Sequence, residues 1–163
     1  MRGGFLDAVM PAVTSLGNGG LVWIAVALIL TAVKKYRVAG IAVLIALILN
    51  LLIGNVILKP LIARVRPCDI NTAVKLLIPR PTDYSFPSGH TLSSFAAATV
   101  IFLRDKRFGT AALILASLIA FSRLYLYVHY PTDVLAGIVI GIAIGFFSYY
   151  ATDKITKKIL GGK

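Results

Sequence analysis

Residues Val38 to Leu58 read VAGIAVLIALILNLLIGNVIL, with only Asn50 and Asn55 interrupting an otherwise apolar run. A helix needs roughly 17–25 mostly apolar residues to cross a bilayer. This run is therefore expected to be a membrane span, and the rest of the chain reads as more of the same. Upstream, Gly19 to Val33 is apolar and ends at Lys34-Lys35-Tyr36-Arg37. Downstream, Thr91 to Leu103 ends at Arg104-Asp105-Lys106-Arg107, followed by Phe108 to Val128 and Pro131 to Ala151. The reading is an all-α integral membrane bundle of about five transmembrane helices, forming a single domain over residues 1–163. The short stretch Met1 to Val13, broken by Asp7 and Pro11, reads as an interfacial helix lying on the membrane.

Composition agrees. The 163 residues are 58% hydrophobic and 14% charged, against about 45–50% and about 25% in soluble domains. That excludes disorder and argues against a soluble globule. The net charge of +11 does not point to nucleic acid, because the cations punctuate apolar runs rather than lining one face. All six acidic residues are Asp. The single cysteine, Cys68, cannot form an intramolecular disulfide. Two histidines are too few for a His-rich metal site. Gly137, Gly141 and Gly145 put a small residue on one helix face every turn, which suits close packing in lipid.

Five spans place the Lys34–Arg37 loop, the Arg104–Arg107 loop and the C-terminal tail on one side. That side holds ten of the 17 Lys and Arg, and the other holds seven. The positive-inside rule then puts the tail in the cytoplasm and the polar Lys59–Pro87 segment outside.

Three clusters fall on that outer side, where charges at a membrane edge are functional candidates. In Lys59-Pro-Leu-Ile-Ala-Arg64-Val-Arg66-Pro67 the two outer cations would share a helix face two turns apart. They would repel unless an anion sat between them; snorkelling at a span's end is the plainer alternative. Pro87-Ser88-Gly89-His90 precedes an apolar helix whose N-terminus makes an anion site, or else Ser88 simply caps that helix. In Ser122-Arg123-x5-His129-x3-Asp133, Pro131 suits a first helical turn and Asp133 then lies close enough to orient His129. The alternative is a charged loop with an incidental His–Asp pair.

Taken together, Lys59-x6-Arg66-Pro67, Pro87-Ser88-Gly89-His90 and Ser122-Arg123-x5-His129-x3-Asp133 resemble the three-part signature of the type 2 phosphatidic-acid phosphatase superfamily, in order and at every fixed position. The motif region spans residues 59–133. Many membrane members have six spans, and this chain reads as five. The resemblance implies His129 as a nucleophile forming a phosphohistidine, Asp133 as its orienting carboxylate and His90 as general acid. It also implies Lys59, Arg66, Arg123, Ser88 and Gly89 as the phosphate-binding groups. Three fixed cations can stabilise a transferring phosphoryl group, and the shortage of carboxylates fits no metal site, so no cofactor is expected.

The implied function is an integral membrane lipid phosphatase of the cell membrane, its site facing the extracytoplasmic side. Undecaprenyl pyrophosphate is favoured, because the small size and minimal loops look bacterial. Phosphatidylglycerol phosphate, phosphatidic acid and lipid A phosphates are the alternatives. A vanadate-dependent haloperoxidase or a non-enzymatic lipid transporter are readings of other classes. Thr91 to Leu103 would make only about 20 Å of helix in a core about 30 Å thick. His90 would then lie below the outer surface, where a lipid phosphate could enter sideways.

Overall fold

The computed structural model describes residues 3–161, with the side chains of 160 and 161 left aside. Arg2 and Lys163, which entered the charge count, lie outside the described residues. Helices α1 (Gly4–Leu16) and α2 (Leu21–Ala32) are joined by a turn at Asn18–Gly20. Helix α3 (Arg37–Asn50) runs through a π-helical stretch, Leu51–Leu58, into α4 (Lys59–Ile62). The short α5 (Pro67–Ile70) precedes a long irregular segment. Helices α6 (Gly89–Arg104), α7 (Lys106–Tyr125) and α8 (Pro131–Gly161) complete the bundle. There is no strand among the described residues.

Helix α6 is the axis. Every residue from Thr91 to Ile101 is buried, because α8, α7 and α3 surround it. The glycine stripe explains how closely α8 can lie. A Cβ at Gly141 would sit 2.6 Å from the Leu92 carbonyl oxygen, and one at Gly145 2.7 Å from that of Ala96. Trp23 on α2 is tied to the same axis through Nε1, which donates to Ser94 Oγ at 2.9 Å. The outer faces stay apolar: Leu28, Ile29, Val139 and Phe147 are all exposed, as a lipid-facing surface requires.

Helices occupy all five expected positions, but their lengths are unequal. Lys34–Ile70, Lys106–Tyr125 and Pro131–Ile159 are each long and apolar enough to cross a bilayer. Helix α2 has only 12 residues. Bent by 43° against α1, it makes with α1 a fourth candidate, either a broken span or a re-entrant loop. Helix α1 packs along α7, where Tyr125 Oη donates to Asp7 Oδ1 at 2.6 Å. Helix α6, at 16 residues, is shorter than α7 and α8 and is not among the helices long and apolar enough to cross a bilayer.

One local expectation is overturned. Lys59 and Arg66 do not share a helix face. The helix ends at Ile62, Ala63 turns left-handed at φ 47, and Arg66 is extended at φ −75, ψ 152. The left-handed turn at Ala63 ends the helix, and Pro67 then keeps Arg66 extended, because its ring disfavours a helical conformation in the residue before it.

Candidate active site

The three sequence clusters converge at one end of the bundle. Lys59, Arg66, Gly89, His90, Arg123 and His129 all line a single cavity of about 1120 Å³. Part of its wall is apolar, built from Ile24, Leu44, Leu47 and Ile48. Asp133 lies behind His129, fully buried. Ser88 is buried and does not line the cavity; its Oγ accepts from Thr91 Oγ1 at 2.9 Å. It makes no side-chain cap bond, so the plain capping alternative fails.

Arg66 is the most heavily bonded group. Its Nε donates to the Asp83 carbonyl at 2.8 Å and its Nη1 to the Val128 carbonyl at 2.7 Å. Nη2 reaches Asp83 Oδ1 at 2.7 Å and the Tyr84 carbonyl at 3.3 Å. Nη1 also lies 3.1 Å from His129 Nε2. A guanidinium can only donate, so Nε2 is the acceptor and the ring proton sits on Nδ1, facing Asp133 Oδ2 at 3.5 Å. The imidazole is thereby fixed with its lone pair toward the cavity. Burial drives its pKa down to about 4, against the opposing pull of Asp133, and the Arg66 and Arg123 cations lower it further. His129 is neutral at pH 7.

Asp133 is held from several sides. Ser85 Oγ donates to Oδ2 at 2.5 Å and the Tyr130 N–H at 2.9 Å. Arg64 Nη1 reaches Oδ1 at 2.7 Å and Thr132 Oγ1 at 2.6 Å. The guanidinium carbon of Arg64 stands 4.0 Å from the centre of the Tyr130 ring. Arg123 donates from Nη1 to Thr14 Oγ1 at 2.6 Å, while its buried Nε has no partner.

The anion between Lys59 and Arg66 is Asp83, which bonds both cations. Burial alone would raise the Asp83 pKa, but the Lys59 ammonium and the Arg66 guanidinium outweigh it and hold the carboxyl at about 2. Sequence reasoning asked for an anion there without finding Asp83. It also missed Arg64, Ser85, Thr14 and Asn18. Arg64 was visible as a third cation in its motif; the glycines around Asn18 were the only signal for that turn. Among the described residues no group of three His, Cys, Asp or Glu is arranged to hold a metal.

The chain is similar to known proteins over most of its length. The model of the PAP2 superfamily matches residues 39–157. An undecaprenyl-diphosphatase of Sulfolobus acidocaldarius is 39% identical over 128 residues, covering 78% of this chain and 62% of that protein. The undecaprenyl-diphosphatase BcrC of Bacillus subtilis is 34% identical over 157 residues, 91% of this chain and 76% of that one. Among solved structures, a transmembrane PAP2-type phosphatidylglycerolphosphate phosphatase from Bacillus subtilis superposes with a TM-score of 0.76 at 28% identity. That match covers 95% of this chain and 80% of the other.

Proposed function

The chain belongs to the PAP2 superfamily, and on that premise we propose that it is a metal-independent membrane lipid phosphatase working through a phosphohistidine on His129. The observation that carries the reading is the cavity itself. Both histidines line it with Lys59, Arg66, Arg80 and Arg123, and so do the apolar Ile24, Leu44, Leu47 and Ile48. A phosphoryl group belongs beside the first set and a lipid chain along the second.

In this reading a phosphoryl oxygen takes over the Arg66 Nη1 contact, and Nε2 of His129 attacks phosphorus. The Nε2–P bond forms as the bond to the leaving oxygen breaks. His90, protonated once the bound phosphoryl anion offsets the cations beside it, gives its proton to that oxygen. Asp133 balances the positive charge that grows on the His129 ring. Lys59, Arg66 and Arg123 share the charge on the phosphoryl oxygens, a preorganised electrostatic role that metal ions fill elsewhere. Gly89, with its N–H at the start of α6, adds a backbone donor. Ser88, buried next to Gly89, holds the start of α6 through its bond with Thr91. Water then gives a proton to the now neutral His90 and attacks phosphorus; the Nε2–P bond breaks, its electron pair returns to His129, and phosphate is released.

Undecaprenyl pyrophosphate is the favoured substrate, supported by the names of the two relatives above. The likeness to the phosphatidylglycerolphosphate phosphatase keeps a glycerolipid phosphate as the second reading. The site faces the extracytoplasmic side and the C-terminus the cytoplasm, supported by the bias in positive charge. The test is phosphate release across a panel of lipid phosphates and pyrophosphates, with His129→Ala as control. Release by the wild type that vanishes in a folded His129→Ala protein fits the proposal. Unchanged function in that variant would instead favour a transporter.

A further inference from the structure

The turn between α1 and α2 reaches across to the histidine on α6. Asn18 Oδ1 stands 2.9 Å from His90 Nε2. An amide oxygen only accepts, so Nε2 carries the proton in this contact. The backbone around Asn18 is shaped for that approach. Gly19 and Gly20 take φ 58 and φ 69, the left-handed region that suits glycine. A Cβ at Gly17 would lie 2.6 Å from His90 Cδ2 and 3.0 Å from Ile119 Cγ2. One turn earlier on α1, Thr14 receives Arg123. The charged and titratable groups facing His90 are Arg123, His129, Lys59 and Arg66. All but Asn18 among these neighbours are cationic or are the partner histidine, so the amide is what offers Nε2 an acceptor.

We propose that Asn18 is a positioning residue for the general acid. It holds the His90 ring with its Nε2–H directed into the cavity, until the leaving oxygen of the bound substrate replaces the amide oxygen. When the P–O bond breaks, its electron pair stays on the leaving oxygen. That oxygen takes the Nε2 proton, and the imidazolium returns to neutral imidazole. The inference rests on the reading of His90 as general acid.

A merely structural role for Asn18 would slow every substrate alike, whereas a role through the acid depends on the leaving group. The test compares benzyl phosphate, whose alkoxide must be protonated as it leaves, with 4-nitrophenyl phosphate, whose phenolate departs without a proton. General acid catalysis is worth about 10²–10⁴-fold, so loss of its positioning in Asn18→Ala should lower kcat for benzyl phosphate about tenfold and leave 4-nitrophenyl phosphate within about twofold. Asn18→Ser, too short to reach the ring, should show the same split. His90→Ala run alongside should show a larger one. Equal effects of the Asn18 variants on both substrates, or on neither, while His90→Ala splits them, would overturn the role of Asn18 and leave that of His90 standing. No split in His90→Ala would overturn the general-acid reading and this inference with it. Retained 4-nitrophenyl phosphate turnover and an unchanged melting transition report that the variants fold.

Discussion

Arg66 Nη1 lies 3.1 Å from His129 Nε2, so a permanent cation sits against the nitrogen that has to attack phosphorus. This contact fixes the tautomer, adds to the burial that keeps the ring neutral and leaves the guanidinium beside whatever oxygen arrives on that phosphorus. Most of the expected behaviour of the site follows from it and from the carboxylates around it.

The first expectation concerns pH. His129 is held at about 4 rather than 6.5, so the attacking neutral ring persists as pH falls through 6. After correction for the second ionisation of the substrate phosphate, near pH 6, the acid limb of kcat/KM should fall close to pH 4. A limb remaining near 6.5 contradicts the account. Arg66→Gln removes a cation that disfavours the imidazolium, so it should move the limb upward.

The same shift carries a stability consequence. The folded ring takes up its proton only near pH 4, whereas the unfolded chain takes it up near 6.5. The unfolded state therefore binds more protons in that window, and stability should decline as pH falls from about 6.5 to about 4. His129→Gln should remove that part of the decline in a series of melting curves at stepped pH; an identical decline in both proteins would count against it.

Asp83 competes with substrate. At a pKa of about 2 its carboxylate is ionised throughout the working range. Arg66 keeps three backbone carbonyl partners without it. Asp83→Asn should therefore leave Arg66 in place and free Lys59. Inhibition by inorganic phosphate should tighten about tenfold, the equivalent of about 1.4 kcal/mol. Weaker phosphate inhibition would show instead that the carboxylate organises the cations for binding.

Arg64 holds Asp133 rather than the substrate. Arg64→Ala should lower kcat by roughly 10- to 100-fold, as removal of an orienting partner does, with KM nearly unchanged. Arg64→Lys should recover only part of that rate, because a lysine cannot bridge Asp133 and Thr132 while stacking on Tyr130. A rise in KM at constant kcat would place Arg64 on the substrate.

Activity should survive excess chelator, since Lys59, Arg66 and Arg123 supply the positive charge. Loss of activity that Mg²⁺ restores would contradict this.

Much of this was legible in the sequence, and the limits have physical causes. Long apolar runs announced the helices around α6, and the glycines of α8 announced its close packing. The motif residues announced the cavity, because charged groups are costly at a membrane edge. The path from Lys59 to Arg66 was not legible, because helical spacing carries no sign that Ala63 turns left-handed. Asp83, Ser85 and Asn18 were hidden for another reason. Each meets its partner only through tertiary folding: Asp83 returns from 24 residues beyond Lys59, and Asn18 comes from 72 residues before His90. The contacts of α1 were hidden too, because its own sequence does not show α7 waiting to meet Asp7 and Thr14.

The central claim is that His129 carries the phosphoryl group. The most direct measurement quenches the enzyme during turnover of a lipid phosphate without acid and maps the modified residue by mass spectrometry. The account predicts a phosphoryl group on His129, absent from His129→Ala. Turnover with no phosphorylated enzyme, or with the group on another residue, would contradict it.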